Sequence, residues 1–135
     1  MIRLEITEEF HDLLLGKHVA SVATINPDGS PQVTPMWIDY DKLNNYILVN
    51  TARGRKKTRN MYEGAKVAVN VLDQTNPYRY IAIQGTVIEI TENGALKHIN
   101  KLSDRYFGRP EYPIQEGEIR VIIRIEPKHV HVSAG

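Results

Sequence analysis

Five cations fall within seven positions of the stretch NTARGRKKTRN, residues 50–60: Arg53, Arg55, Lys56, Lys57 and Arg59. Residues of this type at this density could bind nucleic acid, form a solvated helix face, or cradle one specific anion. The chain as a whole is nearly neutral, at +1 over 135 residues. Of its 17 Lys and Arg, these five stand together, and the other twelve face 16 Asp and Glu, a formal −4. A general nucleic-acid binder spreads its positive charge over a face or stripe, whereas here the charge is a local spike. The segment follows the strand-like run YILVNT, and a helix is expected to begin near Arg55. Unpaired N–H groups at a helix start, close approach at Gly54, and charge-assisted bonds from Arg and Lys together suit a phosphate. No GxxxxGK[ST] is present, so the segment is not a nucleoside-triphosphate P-loop. A charge run alone reads first as a solvated helix face, and its place between a strand and a helix brings the anion cradle level with it.

The remaining chemistry-bearing residues are sparse. His11, His18, His98, His129 and His131 include the pair in HVH, which would share one face of a strand. No HExxH or carboxylate-plus-histidine motif completes a metal set, so none is assigned. His98 lies among polar helix positions and is expected at the surface. The serine of GSP at 29–31 sits in a turn rather than a G-x-S-x-G elbow. Glu8 and Glu9 suit a helix start. Zero cysteines exclude disulfides and a thiol nucleophile and agree with a cytoplasmic address. With no reactive group of its own on display, an enzyme of this composition would rely on a bound cofactor. The aromatics Trp37, beside Met36, and the tyrosines of NPYRY read first as core.

The elements that must position these residues are mostly strands. TEEFHDLLLGKH reads as a first helix with Thr7 as N-cap and Gly16 as its stop. HVASVATI, PQVTPMWIDY, YILVNT, AKVAVNVLD, YRYIAIQGTVIEI and EIRVIIRIEP read as strands, and KHVHVS as a last short one. NPDGS and DKLNN supply turns. Pro35 predicts an edge strand or bulge, and Gly85 a bulge. RKKTRNMYEG reads as one short helix ending at Gly64. ENGALKHINKLSDRYF, residues 92–107, reads as the best helix after the first, with Leu96, Ile99, Leu102 and Tyr106 on its apolar face. One domain over 1–135 is expected, mainly β (α+β), an antiparallel barrel-like sheet with a few short helices. No apolar run approaches membrane-spanning length, and the mixed acidic N-terminus is no secretory signal. Neither a membrane nor a nucleic-acid partner is expected.

Four segments in this order are similar to the pyridoxamine-phosphate-oxidase-like split-barrel family: VASVATINPDGSPQVTPMWIDYD, ILVNTARGRKKTRNMYEGAKVAVNVLD, NPYRYIAIQGTVIEIT and RVIIRIEP. The closest likeness is to the branch that binds the deazaflavin F420. The resemblance implies a split β-barrel homodimer with two equivalent flavin or deazaflavin sites at the interface. It also implies Gln32, Thr34, Pro35 and Met36 as neighbours of the cofactor ring. Asn50, Thr51, Arg55, Lys56, Lys57 and Asn60 fall where the family cradles phosphate. Tyr78 and Arg79 are expected to reach the cofactor of the partner chain. True pyridoxamine-phosphate oxidases have an arginine where Thr34 falls and a longer C-terminal region, so vitamin B6 oxidation is not expected.

Charge separates the two cofactors. FMN ends in one phosphate of about −1.5 to −2, which two or three cations neutralise, whereas F420 carries a phosphodiester and a tail of glutamates. Five cations therefore favour F420, with FMN as the alternative and solubility as another use for the surplus. The expected function is an F420-dependent oxidoreductase acting on a small conjugated organic molecule. The alternatives are an FMN-binding reductase or flavin carrier and, remotely, a non-enzymatic nucleic-acid module.

Overall fold

A computed structural model describes residues 5–135; residues 1–4, the start of the mixed N-terminus, lie outside it. Seven strands form one sheet: β1 (Ala20–Ile25), β2 (Pro31–Met36), β3 (Ile38–Asp41), β4 (Tyr46–Ala52), β5 (Lys66–Leu72), β6 (Arg79–Thr91) and β7 (Arg120–Ala134). Their order is β2-β1-β5-β6-β7-β4-β3, and each neighbouring pair is antiparallel. The two edge strands, β2 and β3, are consecutive in the chain with only Trp37 between them. The sheet must therefore curl until its edges meet at that residue, which makes a split barrel with its seam at Trp37.

Curling needs bends in the long strands. β6 has register shifts between Gln84 and Gly85 and between Val87 and Glu89, where an extra residue increases local twist. Gly85 is required at the first: a Cβ there would stand 2.6 Å from Ile125 Cγ2 and 2.8 Å from the Glu126 carbonyl oxygen. Pro35 lies on the edge strand β2, where no ladder bond is lost on its outer side. NPDGS closes as a turn, with Gly29 at φ 87° and the Asn26 N–H bonded to the Ser30 carbonyl.

Alternating strand residues such as Val22, Ile38, Ile47, Val49, Ile81, Ile83, Val121, Ile123 and Ile125 fill the barrel with Leu13, Leu14 and Met61. A second layer lies outside it. Ala95, Ile99 and Leu102 of the helix Ala95–Phe107 pack on β4 and β7, where Ile122 is also buried. This covering explains why Val121, Ile122 and Ile123 are consecutive and all apolar, since both faces of β7 are buried there.

Five expectations change. PQVTPMWIDY, read as one strand, is two, β2 and β3, broken at Trp37. The first helix is a 3-10 turn (Glu8–Phe10) running into α1 (His11–Leu15), and Thr7 makes no side-chain cap bond. The basic helix, α2, is only Lys56–Arg59, because Asn60 turns inward and Gly64 ends a separate turn at φ 89°. EIRVIIRIEP and KHVHVS form one continuous strand, β7, rather than two. The long helix, α3 (Ala95–Phe107), is rotated from its expected phase: Leu96 is 56% exposed, while His98 is buried at 8% exposure. Among the described residues, no helix is long and apolar enough to cross a membrane.

Candidate functional site

The seam at Trp37 opens as a cleft of ≈ 350 Å³. Pro35, Met36 and Trp37 come to it from the end of β2, and Asn50 from β4. Arg55 and Lys57 come from the loop and helix that follow β4, while Phe107, Tyr112 and Arg120 close it from α3, the next loop and β7. One wall is aromatic: the Trp37 ring stacks on Tyr106 at 5.1 Å and 7°, and meets Phe107 and Tyr112 edge-on at 5.0 and 6.0 Å. Tyr106 is structural, because its hydroxyl donates to the His18 carbonyl and burial pushes its pKa up.

The other wall is cationic. Arg53 pairs with Glu92, but among the described residues Arg55, Lys56, Lys57 and Arg59 make no ion pair. Burial, with Arg55 and then Arg120 nearby, lowers the pKa of Lys57. A lysine whose charged form is disfavoured by two neighbouring arginines marks a place where an anion would be welcome. Because α2 has only four residues, its dipole is small, and the side chains must supply most of the attraction.

Hydroxyl bonds fix this segment. Thr58 Oγ1 donates to the Ala52 carbonyl at 2.7 Å, so its contact with Thr51 Oγ1 at 3.0 Å must be donated by Thr51. Asn60 Nδ2 bonds Thr24 and Asn26, tying the end of α2 to the β1–β2 turn. Thr51 and Asn60 are thus buried supports of the cationic loop, and Lys56 is exposed outside the cleft lining. Gln32 and Thr34 lie half-buried on the same side of β2, 3.5 Å apart through Nε2 and Oγ1. Tyr78 is 76% exposed on the loop before β6. Arg79 is held by Asp12 at 2.7 Å, Asp73 at 3.1 Å and the Glu9 carbonyl. Of the expected site residues, the cleft therefore gathers Pro35, Met36, Asn50, Arg55 and Lys57.

Beside them stand residues that sequence reasoning missed. Arg120 donates from Nε to Asn50 Oδ1 at 3.0 Å. Because that donor fixes the orientation of the Asn50 amide, Nδ2 faces the Ala95 carbonyl at 2.8 Å and His98 Nδ1 at 3.2 Å. His98 Nδ1 then accepts, which leaves the proton on Nε2, 3.0 Å from Asp39 Oδ2. Arg105 and Lys101 also donate to Asp39. Burial alone would raise the Asp39 pKa; the His98 bond and the Arg105 charge outweigh it and hold the carboxyl well below the usual range. The one available signal was the apolar run at 121–123, which implies that β7 is covered on both faces and that Arg120 is enclosed with it.

A larger hollow of ≈ 560 Å³ lies elsewhere on the sheet, lined by Ala23, Ala68, Gln84, Gly85 and His129, with Lys66 and Lys128. It gathers no comparable cluster of aromatic and charged groups, and the seam cleft is the better candidate.

Comparison with known proteins agrees with this architecture. A family sequence model described as pyridoxamine 5'-phosphate oxidase matches residues 6–134. A solved F420 reductase is 33% identical, with a TM-score of 0.81 over 93% of this chain and 98% of that one. A conserved hypothetical protein from Mycobacterium tuberculosis superposes at a TM-score of 0.74 and 23% identity, over 99% of this chain and 88% of the other. An FAD- and heme-binding protein from Mycobacterium smegmatis shares the fold at 0.67 and 21% identity, over 98% and 73%. No curated protein sequence matches. With a seven-stranded sheet closed at Trp37 and a family match running almost end to end, the chain belongs to the pyridoxamine 5'-phosphate oxidase-like split-barrel family.

Proposed function

We propose that this protein is an F420-dependent oxidoreductase that moves hydride between the deazaflavin and a small conjugated organic molecule. The observation that carries the proposal is the set of unpaired cations at the seam, with Arg55 and Lys57 on the cleft and Lys56 and Arg59 beside it. One phosphate of about −1.5 to −2 is neutralised by two of them, and the other two suit a ligand with further acidic groups. The 33% identity to an F420 reductase supports the same choice.

When bound, the deazaflavin supplies the hydride chemistry, which no side chain of this protein offers. The chain binds and orients. Arg55 and Lys57 hold the phosphate, with Lys56 towards the acidic tail, while Thr51 and Asn60 keep that loop rigid through Thr58, Thr24 and Asn26. Gln32 and Thr34 offer hydrogen bonds to the ring edge, and Pro35 and Met36 flank it. Two copies assemble in this reading. The exposed Tyr78 reaches across to the partner's site, and Arg79 anchors its loop through Asp12 and Asp73.

An FMN-binding reductase or flavin carrier is the second reading. It is favoured by the fact that only Arg55 and Lys57 of the four unpaired cations line the cleft, enough for one phosphate. Titration with F420 and with FMN, followed by absorbance and by the fluorescence of the single tryptophan, separates the two. Micromolar F420 binding with much weaker FMN binding supports the proposal, and the reverse order supports the second reading. Binding of neither, with salt-dependent oligonucleotide binding, sinks both.

A further inference from the structure

We infer that Arg120 is a third anion-recognising residue of the seam cleft, positioned by a buried hydrogen-bond chain running through Asn50 and His98 to Asp39. The inference rests on the reading that this cleft takes an anionic ligand, and it names a residue and a device which that reading does not include.

Each link has one direction. Arg120 Nε donates to Asn50, Asn50 Nδ2 donates to His98 Nδ1, and His98 Nε2 donates to Asp39. Arg120 can only donate and ionised Asp39 can only accept, so both ends of the chain are fixed by chemistry. Such a series polarises along its length and holds the guanidinium plane in one orientation. Glu118 takes Nη1 at 3.0 Å, and Tyr112 packs against the guanidinium face, 5.1 Å from ring centroid to Cζ. Nη2 makes no hydrogen bond to the described residues. Arg120 is only 5% exposed, yet it lines the cleft beside Arg55 and Lys57.

Enclosing an arginine is costly unless its charge is used or compensated. Here Asn50 takes Nε and Glu118 takes Nη1, which leaves Nη2 for a ligand. A planar, held donor beside two cations without ion pairs discriminates by geometry, where Arg55 and Lys57 attract by charge. The ligand class that satisfies all three is a phosphate or carboxylate group attached to a flat ring able to lie along Trp37.

The test uses the full chain with inorganic pyrophosphate, F420 and FMN as probes, following Trp37 fluorescence and the 15N-labelled Arg120 Nε–H resonance. Wild type should show a slowly exchanging Nε–H signal that shifts on adding pyrophosphate. Arg120→Gln should weaken pyrophosphate binding about tenfold or more, and Arg120→Lys should weaken it less. If Arg120→Gln does not fold, Arg120→Lys gives the same reading, since a lysine keeps the charge but loses the two-sided grip. His98→Leu should speed exchange of the Nε–H and lower affinity while Arg120 remains present. Absence of pyrophosphate binding to wild type, or unchanged affinity in both Arg120 variants, overturns recognition by Arg120. An unaltered Nε–H signal and affinity in His98→Leu overturns the positioning chain. If F420 and FMN both fail while pyrophosphate binding still depends on Arg120, the cofactor reading falls and this inference stands.

Discussion

His98 Nε2 lies 3.0 Å from Asp39 Oδ2, although 59 positions separate them in the chain. The contact joins α3 to β3, the edge strand that follows the seam, so it braces the side of the barrel on which the cleft opens. Asp39 is almost fully buried and also receives Arg105 at 2.9 Å and Lys101 at 3.3 Å. Replacing the carboxylate with an amide keeps one accepting oxygen but turns an N–H2 towards donors that bonded the other. Asp39→Asn should cost about 3 kcal/mol in urea unfolding. Glu89→Gln, which breaks a largely exposed pair with Arg124, should cost no more than about 1 kcal/mol. Equal costs would remove the special role of the buried cluster.

The same carboxylate sets an acid limit. Its folded pKa lies below the ordinary 3.8. Its stabilising contribution is therefore fully present above that ordinary value and is lost as pH falls through the folded one. Unfolding free energy should drop as pH is lowered below about 4, and the slope should be shallower in Asp39→Asn. Asp73 adds to the wild-type slope, with its pKa held at about 2 by the backbone N–H and hydroxyl of Thr75 and then by Arg79. Parallel slopes in the two proteins would count against Asp39.

Arg55 and Lys57 are exposed enough that their replacement should leave the fold intact. The double variant Arg55→Ala with Lys57→Ala should reduce affinity for F420 by about a hundredfold, at roughly 1.5 kcal/mol per lost charged contact. Unchanged affinity removes both from the cradle. Because burial, Arg55 and Arg120 lower the Lys57 pKa, its charge is lost at a pH below the ordinary 10.5. F420 affinity should accordingly fall as pH rises through the alkaline range, and the double variant should show a flatter profile.

Gly85 tests the closure of the barrel. An added Cβ meets the Glu126 carbonyl oxygen at 2.8 Å and Ile125 Cγ2 at 2.6 Å, and the backbone oxygen cannot rotate away. Gly85→Ala should destabilise by about 1–3 kcal/mol, read as a lower urea midpoint. No change would mean that β6 and β7 can separate at the bulge without cost.

Much of the strand architecture was legible because its signals are local. The alternation in AKVAVNVLD, the turn in NPDGS, and Pro35 on an edge all depend on residues within a few positions of one another. The cation cluster was equally legible, since Arg55 and Lys57 are neighbours in the chain. The phase of α3 was less so. Leu96 matched the apolar spacing as well as Ala95 did, and only the packing of α3 on β7 and β4 decided which side faced inward. His98 was misplaced for the same reason: its partners are Asn50 and Asp39, remote in the chain.

By itself, then, the sequence determined an antiparallel, mostly β chain carrying one concentrated set of cations just after the strand YILVNT. Only the tertiary structure decided what stands next to those cations. The register of β4 on β7 places Ala52 opposite Arg120 and Asn50 diagonally beside it, and α3 then closes His98 over the pair. Those contacts come from sheet register and helix packing, which depend on the whole curled sheet rather than on any short stretch of residues.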